Sequence, residues 1–326
     1  MAITIYDIAK EAGVSITSVS RVLNNKGEIS AATRARVQAV LDKYNYAPNQ
    51  IARGLASKNS CTVGIVALDL RVEHHAALVH HMEYSCSTAG YSCIVCSLAG
   101  KPDRFCECLD MLIRRRADGI ILTGSVFAAE PYRSILERNN KDIPCIIVNS
   151  LLNEENIFAV LNDEEGAFAE AVHFLHEEKG RSRIALVGCN ETESDGRKLS
   201  GYMRGITECG LESSVVLCGR SMAEGAAAAD MLPAQTDAAL CVVDSVAVGL
   251  IHALADRGVS VPKDIAVIGA DNSAIAEACL PQLTSIDVQP DKTGEAAVRL
   301  LMDAIDGKAD RTGAVVPCRL VERSST

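Results

Sequence analysis

Residues 14 to 25 read VSITSVSRVLNN, a chemistry unlike that of an ordinary surface helix. Val19, Val22 and Leu23 recur at helical spacing and should face a core, which leaves Ile16, Thr17, Ser20 and Arg21 on the outer side. Short hydroxyls and an apolar tip at a helix N-terminus, with an arginine one turn on, suit contact with base edges and phosphates. The plainer reading is a solvated helix in a small bundle. Charge argues against it: residues 1 to 60 carry eight basic and four acidic side chains, while the whole chain has a net charge of −10, leaving −14 for the rest. A small basic head on a large acidic body is the asymmetry of a polyanion-binding module attached to something else.

Short helices must position those side chains. Thr4 caps a helix and Asp7 lies three residues on, with Ile5, Ile8, Ala9 and Ala12 at helical spacing, so helix one is expected over residues 5 to 12. Gly13 suits the left-handed turn that ends it, Val14 plugs the turn, and Ser15 caps a second helix from Ile16. Two short helices this close form a helix-turn-helix. Ser30 caps a third, Ala31 to about Tyr44, whose Val37, Val40 and Leu41 close a three-helix core. In YNYAPNQIARGLASKNS, Pro48 fits the first turn of a short helix with Ile51, Ala52 and Leu55 on one side. Gly54 and the polar run Ser57 to Ser60 make that helix marginal alone, so it is expected to fold on binding.

From Cys61 the pattern changes. The apolar runs CTVGIVAL, YSCIVCSLA, DGIILTG, PCIIVN, RIALVG, DAALCVV and DIAVIGAD alternate with helix-length amphipathic stretches. Parallel sheets with helices on both faces follow, in two groups of strands: one before about residue 158, one from about 183 to 286. The fold class is therefore an all-α helix-turn-helix headpiece and an α/β body of two doubly wound parallel-sheet subdomains. Ligands in such a body bind in a cleft beyond the carboxyl ends of the strands.

The chain has no G-x-G-x-x-G after a strand, P-loop, G-x-S-x-G elbow or H-E-x-x-H, so the cleft is expected to bind without catalysis or a cofactor. A metal or redox sensor would want His80, His81, Cys93, Cys96, Cys106 and Cys108. However, Cys93 and Cys96 lie in an apolar strand where an i,i+3 pair points to opposite faces, and the histidines offer no i,i+4 pair. No metal site is expected. The thirteen cysteines, spread along a long chain, read as reduced and mostly buried. No apolar run approaches the roughly 18 residues of a membrane span and the first residues lack a signal-peptide core, so a cytoplasmic protein is expected.

TIYDIAKEAGVSITSVSRVLNN and ISAATRARVQAVLDKYNYAPNQIARGLAS resemble the headpiece and hinge of the lactose-repressor/galactose-repressor family of bacterial transcription regulators, almost without gaps. DGIILTGS, RSRIALVG, KLSGYMRGI, DRGVSVPKDIAVIGADNSAIAEACLPQLTSIDVQPDKTGEAAVRLL and the closing VERSST extend the resemblance over essentially the whole chain. It implies a DNA-binding regulator, most simply a repressor, acting on pseudo-palindromic operator DNA under control of a small molecule, with a carbohydrate expected. It implies a headpiece over 1–47, a hinge over 48–60 and a periplasmic-binding-protein-like body over 61–326. The chain should cross three times between an N-subdomain (about 61–158 plus 287–316) and a C-subdomain (about 159–286 plus 317–326). Without a C-terminal heptad segment, a homodimer is expected.

The resemblance also implies roles for single residues. Ile16, Thr17 and Arg21 would face bases, Ile16 touching a thymine methyl, and Leu55 would be wedged with its dimer mate into the minor groove. Thr4, Tyr6, Ser15, Ser20, Asn24, Asn49 and Arg53 complete the expected DNA contacts. In the cleft, Asp271 of GADN would accept hydrogen bonds from sugar hydroxyls, against the alternative of a capping Asp at a strand–helix turn. Arg197 of DGRKLSGY matches a ligand arginine, with Lys198 beside it as the rival. Asn149 follows PCIIV, and Asp244 matches an Asp whose usual Asn neighbour is here Val243, a change that points to a different ligand. His74 and His75 stand where relatives commonly place aromatics. They either stack on and hydrogen-bond a ligand, charged toward an acidic one near pH 7, or form an exposed helix start. Alternatives of another class are a solute-binding protein, or a metal- or redox-responsive sensor on the same fold.

Overall fold

A computed structural model describes residues 3–23, 29–44, 60–139, 142–189, 191–309 and 313–326. The chain separates into two units, Met1–Cys61 and Thr62–Thr326. The first holds α1 (Ile5–Ala12), α2 (Ile16–Leu23) and α3 (Ala31–Lys43). Thr4 and Asp7 form a complete capping box, and Gly13 ends α1 at φ 65°, where a β-carbon would be strained. Ser15 Oγ accepts from Ser18 N at 3.1 Å and Ser30 caps α3. Ile8, Ala9, Ala12, Val19, Val22, Val37 and Leu41 make the core, with Leu23 and Val40 packed against it. The end of α3 is pinned to α1 by Lys43 Nζ and Tyr44 OH, both donating to Glu11 at 2.6 Å.

In the second unit β1 (Thr62–Ala67), α4 (Glu73–Thr88), β2 (Ser92–Ser97), α5 (Asp103–Arg114), β3 (Gly119–Thr123), α6 (Tyr132–Asn139), β4 (Cys145–Val148) and β5 (Ile157–Asn162) come first. There follow α7 (Glu164–His173) with a π turn at Phe174–Glu178, β6 (Ile184–Gly188), α8 (Glu193–Glu208), β7 (Ser214–Leu217), α9 (Met222–Ala228) and β8 (Ala238–Cys241). The chain ends with α10 (Asp244–Asp256), β9 (Ala266–Ala270), α11 (Ala274–Ala278), β10 (Thr284–Asp287), α12 (Pro290–Ile305), β11 (Ala314–Val316) and β12 (Arg319–Val321). One sheet runs β11-β5-β4-β3-β1-β2, the other β12-β10-β9-β8-β6-β7. Every pairing is parallel except β10 with β12.

The central strands are buried on both faces, which is why they read as unbroken apolar runs. In the first sheet Val63, Ile65, Ile121 and Ile146 pack toward α4 and α12, while Val66, Ile120, Leu122 and Ile147 pack toward α5 and α6. The alternation across β2 is as expected: Cys93 sits in the first of these cores and Cys96 in the second. All thirteen cysteines are free.

The division of strands at about residue 158 needs correcting. Ile157–Asn162 is a strand of the first sheet, paired with β4, so the first crossing follows Asn162. No glycine or proline marks its start and it runs straight into the Asp163 helix cap, so the sequence offers no boundary there. The crossings lie between β5 and α7, β10 and α12, and β11 and β12. They are tied together: Asn162 Nδ2 donates to Val288 O and Thr293 Oγ1, both at 2.8 Å, Gln289 Nε2 donates to Pro317 O, and Arg319 pairs with Asp287 at 2.9 Å.

Candidate functional site

Strand ends of both sheets turn abruptly around one cavity of about 590 Å³. Gly124 after β3 has φ 141°, Asn149 after β4 has φ 64° and Asp271 after β9 has φ 102°; all three line it. A non-glycine residue held at positive φ costs on the order of 1–3 kcal/mol and persists where the surroundings over-determine it, often at ligand sites. At Asn149 the surroundings are visible: Oδ1 accepts from Asn162 N at 2.8 Å and the carbonyl accepts from Arg197 at 3.0 Å.

The first sheet contributes Leu68, His74, His75, Gly124 and Asn149, and the second contributes Glu164, Lys198, Arg220, Asp244, Asp271 and Ser273. His74 and His75 sit in the first turn of α4. Nδ1 of His75 lies 3.1 Å from the Asp69 carbonyl and must carry the proton in the neutral ring, leaving Nε2 as an acceptor. Burial, reinforced by the Lys198 charge, holds His74 down at about 4, and burial followed by His74 itself does the same for His75. Both rings are therefore neutral at pH 7. This corrects the expectation of charged histidines, because desolvation outweighs the acidic neighbours.

The carboxylates shift the other way. Burial and then the charge of Asp271 push Asp244 up to about 7; burial raises Asp271 to about 6, against the pull of Lys198. Asp244 accepts from Ser273 N at 2.8 Å, Ser273 Oγ at 2.7 Å and Ser285 Oγ at 2.6 Å, so much of its capacity is spent holding the β9–α11 turn. Asp271 makes no side-chain hydrogen bond or ion pair among the described residues. Unlike Asp244, it is not tied up as a cap.

Of the two adjacent cations, Lys198 lines the cavity and Arg197 does not. Arg197 faces Glu164 at 2.8 Å and the Asn149 carbonyl, whereas Lys198 is buried with Nζ 3.0 Å from Val242 O and 3.7 Å from Glu164. One position along a helix is about 100° of rotation, enough to send neighbours to different surroundings. Glu73, Glu164, Arg220 and Ser273 also line the cavity; they come from scattered elements and carry no local motif that would mark them in the sequence. The cleft is also bridged. Glu73 Oε1 accepts from Ala274 N at 2.8 Å, and Glu193 Oε2 from Ser150 Oγ at 2.9 Å and Leu151 N at 3.0 Å.

In the head, Ile16, Thr17 and Arg21 are exposed on one side of α2, Ile16 at 41%, and Ser20 is half-buried beside them. Ser15 is exposed at the start of that helix. Tyr6 on α1 is 67% exposed, and Thr4 is engaged with Asp7 in the cap. Asn24, Asn49, Arg53 and Leu55, and the expected hinge over 48–60 apart from Ser60, lie outside the described residues.

Comparison with known proteins bears on both units. Residues 4–49 match the model of the bacterial regulatory proteins of the lacI family, and residues 172–326 match a periplasmic binding protein-like domain. Catabolite control protein A of Priestia megaterium is 32% identical over 336 residues, each chain being covered completely. Among solved structures, the lac repressor dimer bound to operator and the anti-inducer ONPF is similar with a TM-score of 0.85 at 25% identity, covering 100% of this chain and 99% of that one. The transcriptional regulator CelR in complex with cellobiose gives 0.74 at 25% identity, with both chains fully covered.

Proposed function

The chain belongs to the lacI family of bacterial regulatory proteins and is a DNA-binding transcription regulator; from that premise we propose that it is a dimeric repressor whose cavity ligand, a sugar or sugar derivative, controls operator affinity. The observation that carries the reading is the cavity itself. Strained strand ends from both sheets converge there on Asp271, a carboxylate with no protein partner among the described residues, beside two neutral imidazoles. Acceptors of this kind suit hydroxyl donors, and closure on a ligand draws the two sheets together.

Ile16, Thr17 and Arg21 read bases, with Thr4, Tyr6, Ser15, Ser20, Asn24, Asn49 and Arg53 supporting them, and Leu55 opens the minor groove. Asp271, His74, His75, Asn149 and Asp244 contact the ligand, joined by Lys198, while Arg197 acts through Glu164 and Asn149. The headpiece over 1–47, the hinge over 48–60 and the two discontinuous subdomains of the body are the units that move. A coupling of a few kcal/mol between cavity and hinge is within the ordinary range of allostery.

The test is fluorescence anisotropy of the full chain on its upstream promoter DNA and on a scrambled duplex across a salt series, with and without a sugar panel. Sequence-selective binding that a sugar relieves is the expected result. Equally weak and equally salt-steep binding to both duplexes, with or without sugar, leaves only the phosphate contribution and overturns the reading. Leu55→Ala should weaken binding to the promoter far more than to the scrambled duplex.

A further inference from the structure

We propose that His173, Glu177 and Cys209 form a second site, away from the cavity, for a divalent cation that accepts nitrogen, oxygen and sulfur together, as Zn²⁺ does. The site follows from how α7 and α8 pack. They run parallel: at their starts Glu164 meets Ser194 and Arg197, then a β-carbon on Gly201 would lie 2.2 Å from the Glu165 carbonyl, and Gly205 lies against Ala169 and Val172. The same register brings His173, at the end of α7, against Cys209, which caps α8. Glu177 reaches the same point from the π turn that extends α7.

His173 Nδ1 lies 3.2 Å from Glu177 Oε1 and 3.4 Å from Cys209 Sγ, and one donor atom from each residue lies within 4.8 Å of the others. Bonds of about 2.0–2.1 Å to nitrogen and oxygen and about 2.3 Å to sulfur give tetrahedral edges of roughly 3.3 and 3.6 Å, close to these separations. The opposite ring nitrogen, Nε2, lies 2.8 Å from Glu208 Oε2. A carboxylate on the far side of a ligating imidazole fixes its tautomer and raises its basicity.

A metal takes the Nδ1 lone pair of a ring whose Nε2 donates to Glu208, together with Glu177 and the Cys209 thiolate, leaving one position for water. The thiol proton, and the Nδ1 proton of any ring that bears one, pass to solvent. The C-terminal ends of two parallel helices favour positive charge at this spot. Nine residues of α7, about 13 Å, separate it from Glu164 in the cavity wall, so a bound ion would fasten the far ends of the helices that carry Glu164 and Lys198.

Co²⁺ titrated into the reduced full-length protein reads this out, since a cobalt thiolate gives a near-ultraviolet charge-transfer band beside the visible bands of tetrahedral cobalt. We expect one equivalent to produce that band and Zn²⁺ to displace it. Cys209→Ser should lose it, while Cys93→Ser, in the other subdomain, should keep it. Glu177→Gln, a change on a well-exposed side chain that leaves the core intact, should weaken Co²⁺ at least tenfold, and Glu208→Gln should weaken it about tenfold without removing the band. A wild-type protein with no band, a band of equal intensity in Cys209→Ser, or unchanged affinity in Glu177→Gln would overturn the proposal.

Discussion

Asp271 and His74 face one cavity and titrate in opposite senses, which makes the pH dependence of stability a test of how the site is built. The native state holds a proton on Asp271 up to about 6 and on Asp244 up to about 7, while the unfolded chain releases both near 3.8. Their contribution is full below 3.8 and is lost as pH rises through 6 and 7. The histidines are neutral in the native state from about 4 upward but protonated in the unfolded chain to 6.5, so their contribution is full above 6.5 and is lost as pH falls toward 4. The two pairs oppose each other between about pH 4 and 6.5. Asp271→Asn removes one opposing carboxyl and eases the other, so the variant should gain on the wild type as pH rises, by on the order of 1–3 kcal/mol at pH 7. Urea unfolding at pH 4.5 and 7 measures this, and identical pH profiles would count against a shared buried carboxyl pair. In the head, Arg21→Ala should cost roughly 1–3 kcal/mol on the promoter duplex and much less on a scrambled one, measured by anisotropy. Asp271, Asp244 and the histidine pair could be placed near the cavity from the sequence because each follows an apolar strand run, and Arg21 could be placed on the outer side of its helix because Val19, Val22 and Leu23 mark the inner one. Arg220 and Glu164 could not be placed in this way, since only the folded chain brings their elements to the cavity.

At the scale of elements, helices announced themselves better than strands. Thr4 with Asp7, Gly13, Ser15 and Ser30 are side-chain devices that act within four residues, so α1, α2 and α3 begin where the sequence places them. β7, β11 and β12 are three- or four-residue edge strands with exposed positions and no long apolar run, and their pairing is decided by the sheets they join. The same difference predicts where substitutions hurt. Thr4→Ala removes one cap from a small helical unit and should cost about 1 kcal/mol of headpiece stability, read by thermal melting. Gly201→Ala would force α7 and α8 apart at a backbone carbonyl, which cannot swing away as a side chain can. A loss of about 1–3 kcal/mol or more in urea unfolding of the body is expected, and a neutral result would mean the two helices are not packed this closely.

The two sheets of the body are joined by three crossings and, elsewhere, by a few hydrogen bonds from Glu73 to Ala274 and from Glu193 to Ser150 and Leu151, an asymmetry suited to hinge motion. The crossings are stitched through buried Asn162, Gln289 and Asp287, whereas the bridges rest on Glu73 and Glu193, both exposed. That the chain carries a reading head and a two-part binding body was plain from its charge asymmetry and its change of periodicity; which residues latch the body was not, because Glu73 and Ala274 are 201 positions apart. Each exposed carboxylate bridge should stabilise the closed form by only about 1 kcal/mol, so removing both should shift the balance between closed and open forms by roughly an order of magnitude or more. Glu73→Ala with Glu193→Ala should therefore speed amide exchange at Ala274 and Leu151, which lose their acceptors, and also at the strand ends Gly124 and Asp271, which lose only their enclosure. Exchange at the stitched crossing Asn162 should stay as in the wild type. Faster exchange confined to Ala274 and Leu151 would show that the carboxylates accept hydrogen bonds without holding the cleft shut, and closure would then have to come from the ligand alone.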